Sequence, residues 1–198
     1  GAARNVGLDE AKGTYLAILD ADDIYDCEML EKMYNNAINT DADVVLCKSQ
    51  SLNHANGLMQ EQYAAFDENI MPVGKVFNSQ EVKSVFKMCI LWSWDKLFKR
   101  SFIDEYHLRF QELRSQNDMF FVSMALILAE RIFALPEILA THRIYLVTSI
   151  EYNRDKNPDC FLKALHKIYD QLKFYGLYEK FENSFVNFAV EHCLWHLE

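Results

Sequence analysis

Apolar positions along the chain fall into two kinds of pattern, and together they sketch an alternation of strands and helices. Residues 1–12 read as a helix with a partly periodic set, Val6, Leu8 and Ala11, and Gly13 is expected in the left-handed position just beyond its end. Thr14 to Leu19 is then apolar at nearly every position, the signature of a strand buried on both sheet faces, and it stops at Asp20-Ala21-Asp22-Asp23. A helical stripe follows over Glu28 to Asn39, carried by Met29, Met33 and Ala37, and Asp43 to Cys47 is a second buried-strand pattern. Strand, helix and strand in this order predict a parallel crossover in an α/β sheet. Ser51 to Lys75 is polar, contains Gly57, Pro72 and Gly74, and is expected to hold a long loop. Asn78 with Glu81 three residues on predicts a capped helix reaching about Cys89. A helix is expected over Ser115 to Arg131, strands over Ile132–Leu135 and Ala140–Leu146, and two helices over Asp159–Tyr175 and Glu179–His196, broken at Gly176.

Composition narrows the classes. At 51% hydrophobic and 25% charged the 198 residues have the balance of a folded globular chain, with enough for one domain or one domain and an appendage. A net charge of −9 argues against a nucleic-acid partner, since a phosphate backbone needs a basic surface. The longest apolar run, Met119 to Leu128, falls short of the roughly 20 residues that span a bilayer. Five cysteines, scattered and never in a CxxC spacing, predict neither a disulfide framework nor a zinc site, and reduced cytosolic thiols are the default reading.

The sharpest chemistry is at Asp20, Asp22 and Asp23. Carboxylates crowded at a strand end repel one another unless a cation sits among them. Mg²⁺ or Mn²⁺ suits one or two protein carboxylates plus ligand phosphates, and open α/β sheets bind ligands beyond the carboxyl ends of their strands. A solvated acidic turn that caps the next helix through Asp23 or Asp26 is the plainer alternative.

Three linked stretches then carry a resemblance: Ala3-Arg4-Asn5-Val6-Gly7-Leu8, Ala11-Lys12-Gly13-Thr14-Tyr15-Leu16, and Leu19-Asp20-Ala21-Asp22-Asp23. In order and spacing they resemble the family-2 glycosyltransferases of GT-A type. The resemblance implies transfer of a sugar from a nucleoside-diphosphate donor to a carbohydrate or polymer acceptor, metal-dependent and inverting. Asp22 would ligate the metal on the donor diphosphate, Asp20 would lie beside the ribose and metal, and Arg4 would face the nucleotide base. Gln116-Asn117-Asp118-Met119-Phe120-Phe121 resembles the family's acidic pair at a helix start, with Asp118 as the general base and Asn117 where a glutamate is usual. A plain helix-start aspartate, favoured by the helix dipole, is the other reading of Asp118. Trp92, Trp94, Asp95 and Lys96 resemble the stretch that often lines the acceptor site, and His142-Arg143, followed by Thr148-Ser149, resembles a last segment that meets the diphosphate or metal. Core packing is the alternative for the tryptophans, and a structural histidine for His142.

The implied architecture is a partial GT-A, Rossmann-like mixed sheet flanked by helices: a domain over 1–150 with its amino-terminal part missing, and a helical extension over 151–198. The family's first strand–helix–strand unit, on the order of 60–90 residues, is not matched by anything before Gly1. That would leave strand 15–19 a bare edge and predicts a homo-oligomer. A non-catalytic remnant serving as a binding or assembly module is the second functional expectation. Family members often work at the cytoplasmic face of a membrane, and the last two helices could make peripheral contact there; packing against the core or a second subunit is the plainer expectation. Their candidate faces are Phe161, Leu165, Ile168 and Leu172 on one helix, and Phe181, Phe185 and Phe188 on the other.

Overall fold

The computed structural model describes residues 1–62, 65–144 and 159–195. The expected strand end at 145–146, Thr148-Ser149 and the 150/151 boundary lie outside the described residues. Among the described residues seven strands form one mixed sheet: β1 (Tyr15–Ala17), β2 (Ile24–Tyr25), β3 (Val44–Asn53), β4 (Met59–Glu61), β5 (Val76–Phe77), β6 (Lys96–Lys99) and β7 (Ile132–Ile144), in the order β1-β6-β3-β7-β2, with β4 beside β3 and β5 beside β7. The helices are α1 (Ala2–Glu10), α2 (Met29–Thr40), α3 (Arg100–Glu105), α4 (Met119–Leu128), α5 (Cys160–Phe174) and α6 (Tyr178–Trp195). This is the expected α/β arrangement of a mixed sheet flanked by helices.

Strand β1 departs from its sequence pattern. It is three residues long and only Leu16 is buried, because it lies at the sheet edge with β6 as its one partner among the described residues. It runs parallel to β3, as the crossover predicts, but antiparallel β6 is inserted between them. Gly13 is not left-handed: α1 stops at Glu10 and its cap, Ala11, is already extended. The true crossover partner of β3 is β7, paired in parallel from Val44–Ile132 to Asn53–Ile144. β7 replaces the two short strands expected there, because Pro136 falls at a register irregularity that the sheet absorbs rather than at a break.

The other corrections have local causes. The capping box of Asn78 and Glu81 forms, but it opens one 3₁₀ turn at Ser79–Glu81, and a second turn occupies Val85–Lys87 where a longer helix was expected. Ser79, Val82, Val85, Phe86, Met88 and Cys89 are all buried, so the stretch packs on the core although it forms two short turns and not one helix. Helix α4 begins at Met119, not Ser115, because Gln116 adopts φ 55° and turns the chain ahead of it. From Met119 to Ile127 every residue of α4 is buried, as in a helix enclosed on all sides.

Helices α5 and α6 share the main core with the sheet. Phe161, Leu165, Ile168 and Leu172 of α5 and Phe181, Phe185 and Phe188 of α6 are buried in the same cluster as Val44, Leu46 and α4. These faces are therefore not available to a membrane, and burying such a side chain is worth about 1.5–3 kcal/mol. The break between the helices falls at Gly176, whose φ of 66° is the left-handed conformation glycine adopts without penalty. No helix among the described residues is long and apolar enough to cross a membrane.

Candidate functional site

The sheet topology gathers the candidate residues. β1, β3 and β7 run parallel and β6 runs against them, so the carboxyl ends of β1 and β7 and the amino end of β6 share one edge. At that edge lie the acidic loop 20–23, His142 and Arg143, and the segment from Trp92 to Lys96. β2 follows the acidic loop directly and pairs with β7 at Thr141 and Ala140, which ties the loop down at both ends.

Within the loop the three acids have different environments. A carboxylate oxygen from each of Asp20, Asp22 and Asp23 lies within 4.8 Å of the other two. Asp22 is exposed and Asp20 is one-third exposed, whereas the Asp23 carboxylate is enclosed, with 2% exposure. Asp23 is an anchor: its Oδ1 is 2.9 Å from His142 Nδ1 and accepts the Arg143 backbone N–H at 3.0 Å. Arg143 also donates its side-chain Nε–H to the Asp22 carbonyl. Tyr25, which the sequence reading passed over, braces Asp20 from behind. Its hydroxyl accepts from the Asp20 N–H at 2.8 Å and donates to the Asp20 carbonyl at 3.1 Å. Burial pushes the Tyr25 phenol well above its usual ionisation range, so it keeps the proton it donates. Asp20 and Asp22 present hard oxygen donors to the open side, a set that fits Mg²⁺ or Mn²⁺.

Arg4 joins this loop to the region of the expected base. Its guanidinium donates to Asp20 Oδ1 at 2.5 Å and to Asn117 Oδ1 at 2.8 Å, and lies 3.8 Å from Asp118 Oδ2. The Phe110 ring backs it, 5.3 Å from centroid to guanidinium carbon. In this arrangement Arg4 is directed at acidic partners within the protein. Asp118 caps α4 without a side-chain hydrogen bond to the helix, so its carboxylate is not spent on capping. Burial raises the Asp118 pKa, and the neighbouring Arg4 charge opposes that rise.

Asn5, the next residue of the same motif, clamps the segment that leads to Asp118. Its amide donates to the Phe110 carbonyl at 2.9 Å and accepts the Phe110 N–H at 2.8 Å, copying a strand pair with one side chain. Phe110 in turn stacks on Phe121 of α4 at 4.1 Å. Replacing Asn5 with Ala leaves both Phe110 backbone groups without this partner, and a loss of about 1–3 kcal/mol in urea-unfolding stability is expected.

The four residues named for the acceptor divide. Asp95 and Lys96 have no exposed side-chain surface and pair with each other at 2.7 Å. Lys96 Nζ also donates to the carbonyls of Ile90 at 3.0 Å and Trp92 at 2.8 Å. Enclosed in this way they support the segment 90–96 and do not reach an acceptor, a correction to the sequence expectation. Trp94 is 2% exposed and stacks on Trp92 at 4.7 Å, while both rings lie against His142, at 5.6 and 5.2 Å. Trp92 is half-buried and keeps open surface. The aromatic stack thus holds the imidazole that anchors Asp23.

A match to the family model described as glycosyl transferase family 2 covers residues 1–111, more than half of the chain, and the chain belongs to that family. It is 26% identical over 149 residues to the glycosyltransferase GlyA of Streptococcus pneumoniae serotype 4, an alignment that takes in 72% of this chain and 21% of GlyA. It is 27% identical over 160 residues to EpsH of Bacillus subtilis, a candidate glycosyltransferase, covering 79% of this chain and 45% of EpsH. The crystal structure of S. aureus TarS residues 1–349 with UDP-GlcNAc superposes with a TM-score of 0.65 at 21% identity, over 85% of this chain and 45% of that one. The chain thus spans less than half the length of these relatives, and the shared fold is the GT-A fold that the sequence motifs imply.

Proposed function

We propose that the chain forms the metal- and base-bearing part of an inverting glycosyltransferase that takes a nucleoside-diphosphate sugar and a carbohydrate or polymer acceptor. The observation that carries this reading is the convergence on one sheet edge of the exposed Asp20–Asp22 pair and Asp118, segments about a hundred residues apart linked through the Arg4 guanidinium. Family membership, the GlyA and EpsH likenesses and a fold shared with a protein crystallised with UDP-GlcNAc support it.

Asp22 and Asp20 would hold Mg²⁺ or Mn²⁺, which when bound neutralises charge on the leaving diphosphate. Asp118 takes the proton of the acceptor hydroxyl as its oxygen attacks the anomeric carbon; the bond from that carbon to the diphosphate oxygen breaks, and the nucleoside diphosphate leaves. One base and one displacement give inversion. Trp92, the residue of its group with open surface, offers a ring face to a sugar, and Arg143 is placed beside the acidic loop to meet the diphosphate.

Mn²⁺ titrated into the isotope-labelled chain should broaden amide signals of residues 20–25 and 142–143 first. Asp22→Ala removes the most exposed carboxylate of the loop, so the Mn²⁺ concentration needed should rise by at least the ~10–100-fold that loss of an outer-shell partner costs. Unchanged broadening in Asp22→Ala, or broadening centred elsewhere, counts against the metal assignment.

A further inference from the structure

Arg4 has two acidic neighbours and one neutral one, and the neutral one decides how its charge is divided. Its fork is held from three sides: Asp20 at 2.5 Å from the β1–β2 loop, the Asn117 side-chain oxygen at 2.8 Å, and Asp118 Oδ2 at 3.8 Å. The left-handed turn at Gln116 aims Asn117 and Asp118 together at α1, and the Asn117 carbonyl accepts the Gln111 N–H at 3.3 Å, which fixes the turn. Phe110 under the guanidinium and the Asn5 clamp on Phe110 keep α1 in register with this turn. The fork has no slack: one terminal nitrogen is on Asp20 and the other is on Asn117, with Asp118 just beyond hydrogen-bond reach.

The guanidinium brings a positive charge, and it is met on three sides by Asp20, Asn117 and Asp118. The Asn117 amide accepts a hydrogen bond without bringing charge. We infer that Arg4, steered by the neutral amide of Asn117, is the positioning residue of Asp118: it couples that carboxylate to Asp20 across the site and leaves its positive charge shared between these two acids. A carboxylate at 117 would take the charge for itself and add repulsion beside Asp118. The inference rests on the reading of Asp118 as the base for its use, but not for its test.

The groups facing Asp118 are Arg4 and the Gly1 amino group from the α1 end, Asp20 from the β1–β2 loop, and Asp95 and Lys96 from the start of β6. Asn117→Asp acts on Asp118 both through Arg4 and by its own charge, whereas Arg4→Lys changes the Arg4 contact alone. Carbon-detected NMR of aspartate carboxyls in the 198-residue chain reads the Asp118 titration directly. In Asn117→Asp the new anion engages Arg4 and repels the Asp118 carboxylate, so Asp118 should hold its proton to a pH higher by about one unit. Arg4→Lys replaces the fork with one compact ammonium that cannot serve Asp20 and Asn117 together, and Asp118 should again titrate higher while the amide spectrum of α4 stays in place. An Asp118 midpoint unmoved in folded Arg4→Lys overturns the inference, whatever Asn117→Asp does to the midpoint or Asp118→Asn to turnover. If the midpoint moves and the acid limb of the sugar-transfer profile moves up with it, both readings stand. If the midpoint moves and the acid limb does not, the positioning stands and the base assignment falls.

Discussion

Asp118→Asn is expected to leave the chain folded and donor binding intact while lowering turnover by about 10²–10⁴-fold, the usual contribution of a general base. The substitution keeps shape and removes only the ability to take a proton. Little else in the structure depends on that carboxylate: it makes no capping bond to α4, and its nearest cation, Arg4, is already paired with Asp20 and Asn117. Stability should therefore change by less than the ~1 kcal/mol typical of a partly exposed ion pair. Under the proposed function, release of nucleoside diphosphate from the donor, with acceptor present, measures the rate, and urea unfolding checks the fold. The pH dependence has a defined sign. Burial raises the Asp118 pKa, so the base is lost as pH falls through that raised value, and the acid limb of the rate should sit above the ordinary aspartate range. A variant that turns over at the unaltered rate would make Asp118 a structural residue.

The acidic loop, the stripe of α2 and the core faces of α5 and α6 were legible in the sequence because each is a local pattern: a strand end followed by three carboxylates, or apolar residues at helical spacing. Arg4 was legible as a motif member but not in its bonding. Its partners are 16 and 113 residues away, and no spacing rule reports such a pair. Asp95 and Lys96 misled for a related reason. Charged residues beside tryptophans read as a sugar-binding surface, yet two opposite charges can neutralise each other and go into the interior together, which only the fold decides. β1 reads as buried on both faces from its unbroken apolar run, whereas it stands at the sheet edge with β6 as its one neighbour among the described residues. Tyr25 stood outside every motif, and Asn5 was a motif member without a role, because each acts on backbone groups, Tyr25 on Asp20 and Asn5 on Phe110.

The Asp95–Lys96 pair yields the largest expected change in stability. Both side chains are fully enclosed, and Lys96 spends its remaining donors on the Ile90 and Trp92 carbonyls. Lys96→Met keeps the length and apolar stem but strands the Asp95 carboxylate without its cation. Breaking such a pair on one side costs about 3–5 kcal/mol, a large share of the ~5–15 kcal/mol that holds a domain together. Removing both charges, Asp95→Leu with Lys96→Met, should recover most of that loss, because the uncompensated anion and not the missing attraction dominates the penalty. The loss in Lys96→Met should also depend on pH. Burial already holds the Asp95 pKa above its unfolded value against the pull of Lys96, and losing Lys96 raises it further. The folded state then binds the proton more tightly than the unfolded one, so the variant is most stable below the unfolded aspartate value and loses stability as pH rises through the folded value. Urea midpoints taken from acid to neutral pH should therefore separate Lys96→Met from the parent progressively, while the double variant, which lacks Asp95, loses this pH dependence. A second effect follows from the carbonyls Lys96 holds. Without them the 90–92 segment loosens, the Trp92–Trp94–His142 stack loses its support, and His142 should release Asp23 before the domain unfolds. Tryptophan fluorescence changing ahead of the far-ultraviolet circular dichroism signal in Lys96→Met, but together with it in the parent, is the expected mark of that order; coincident transitions in both would show that the stack stands without the buried pair.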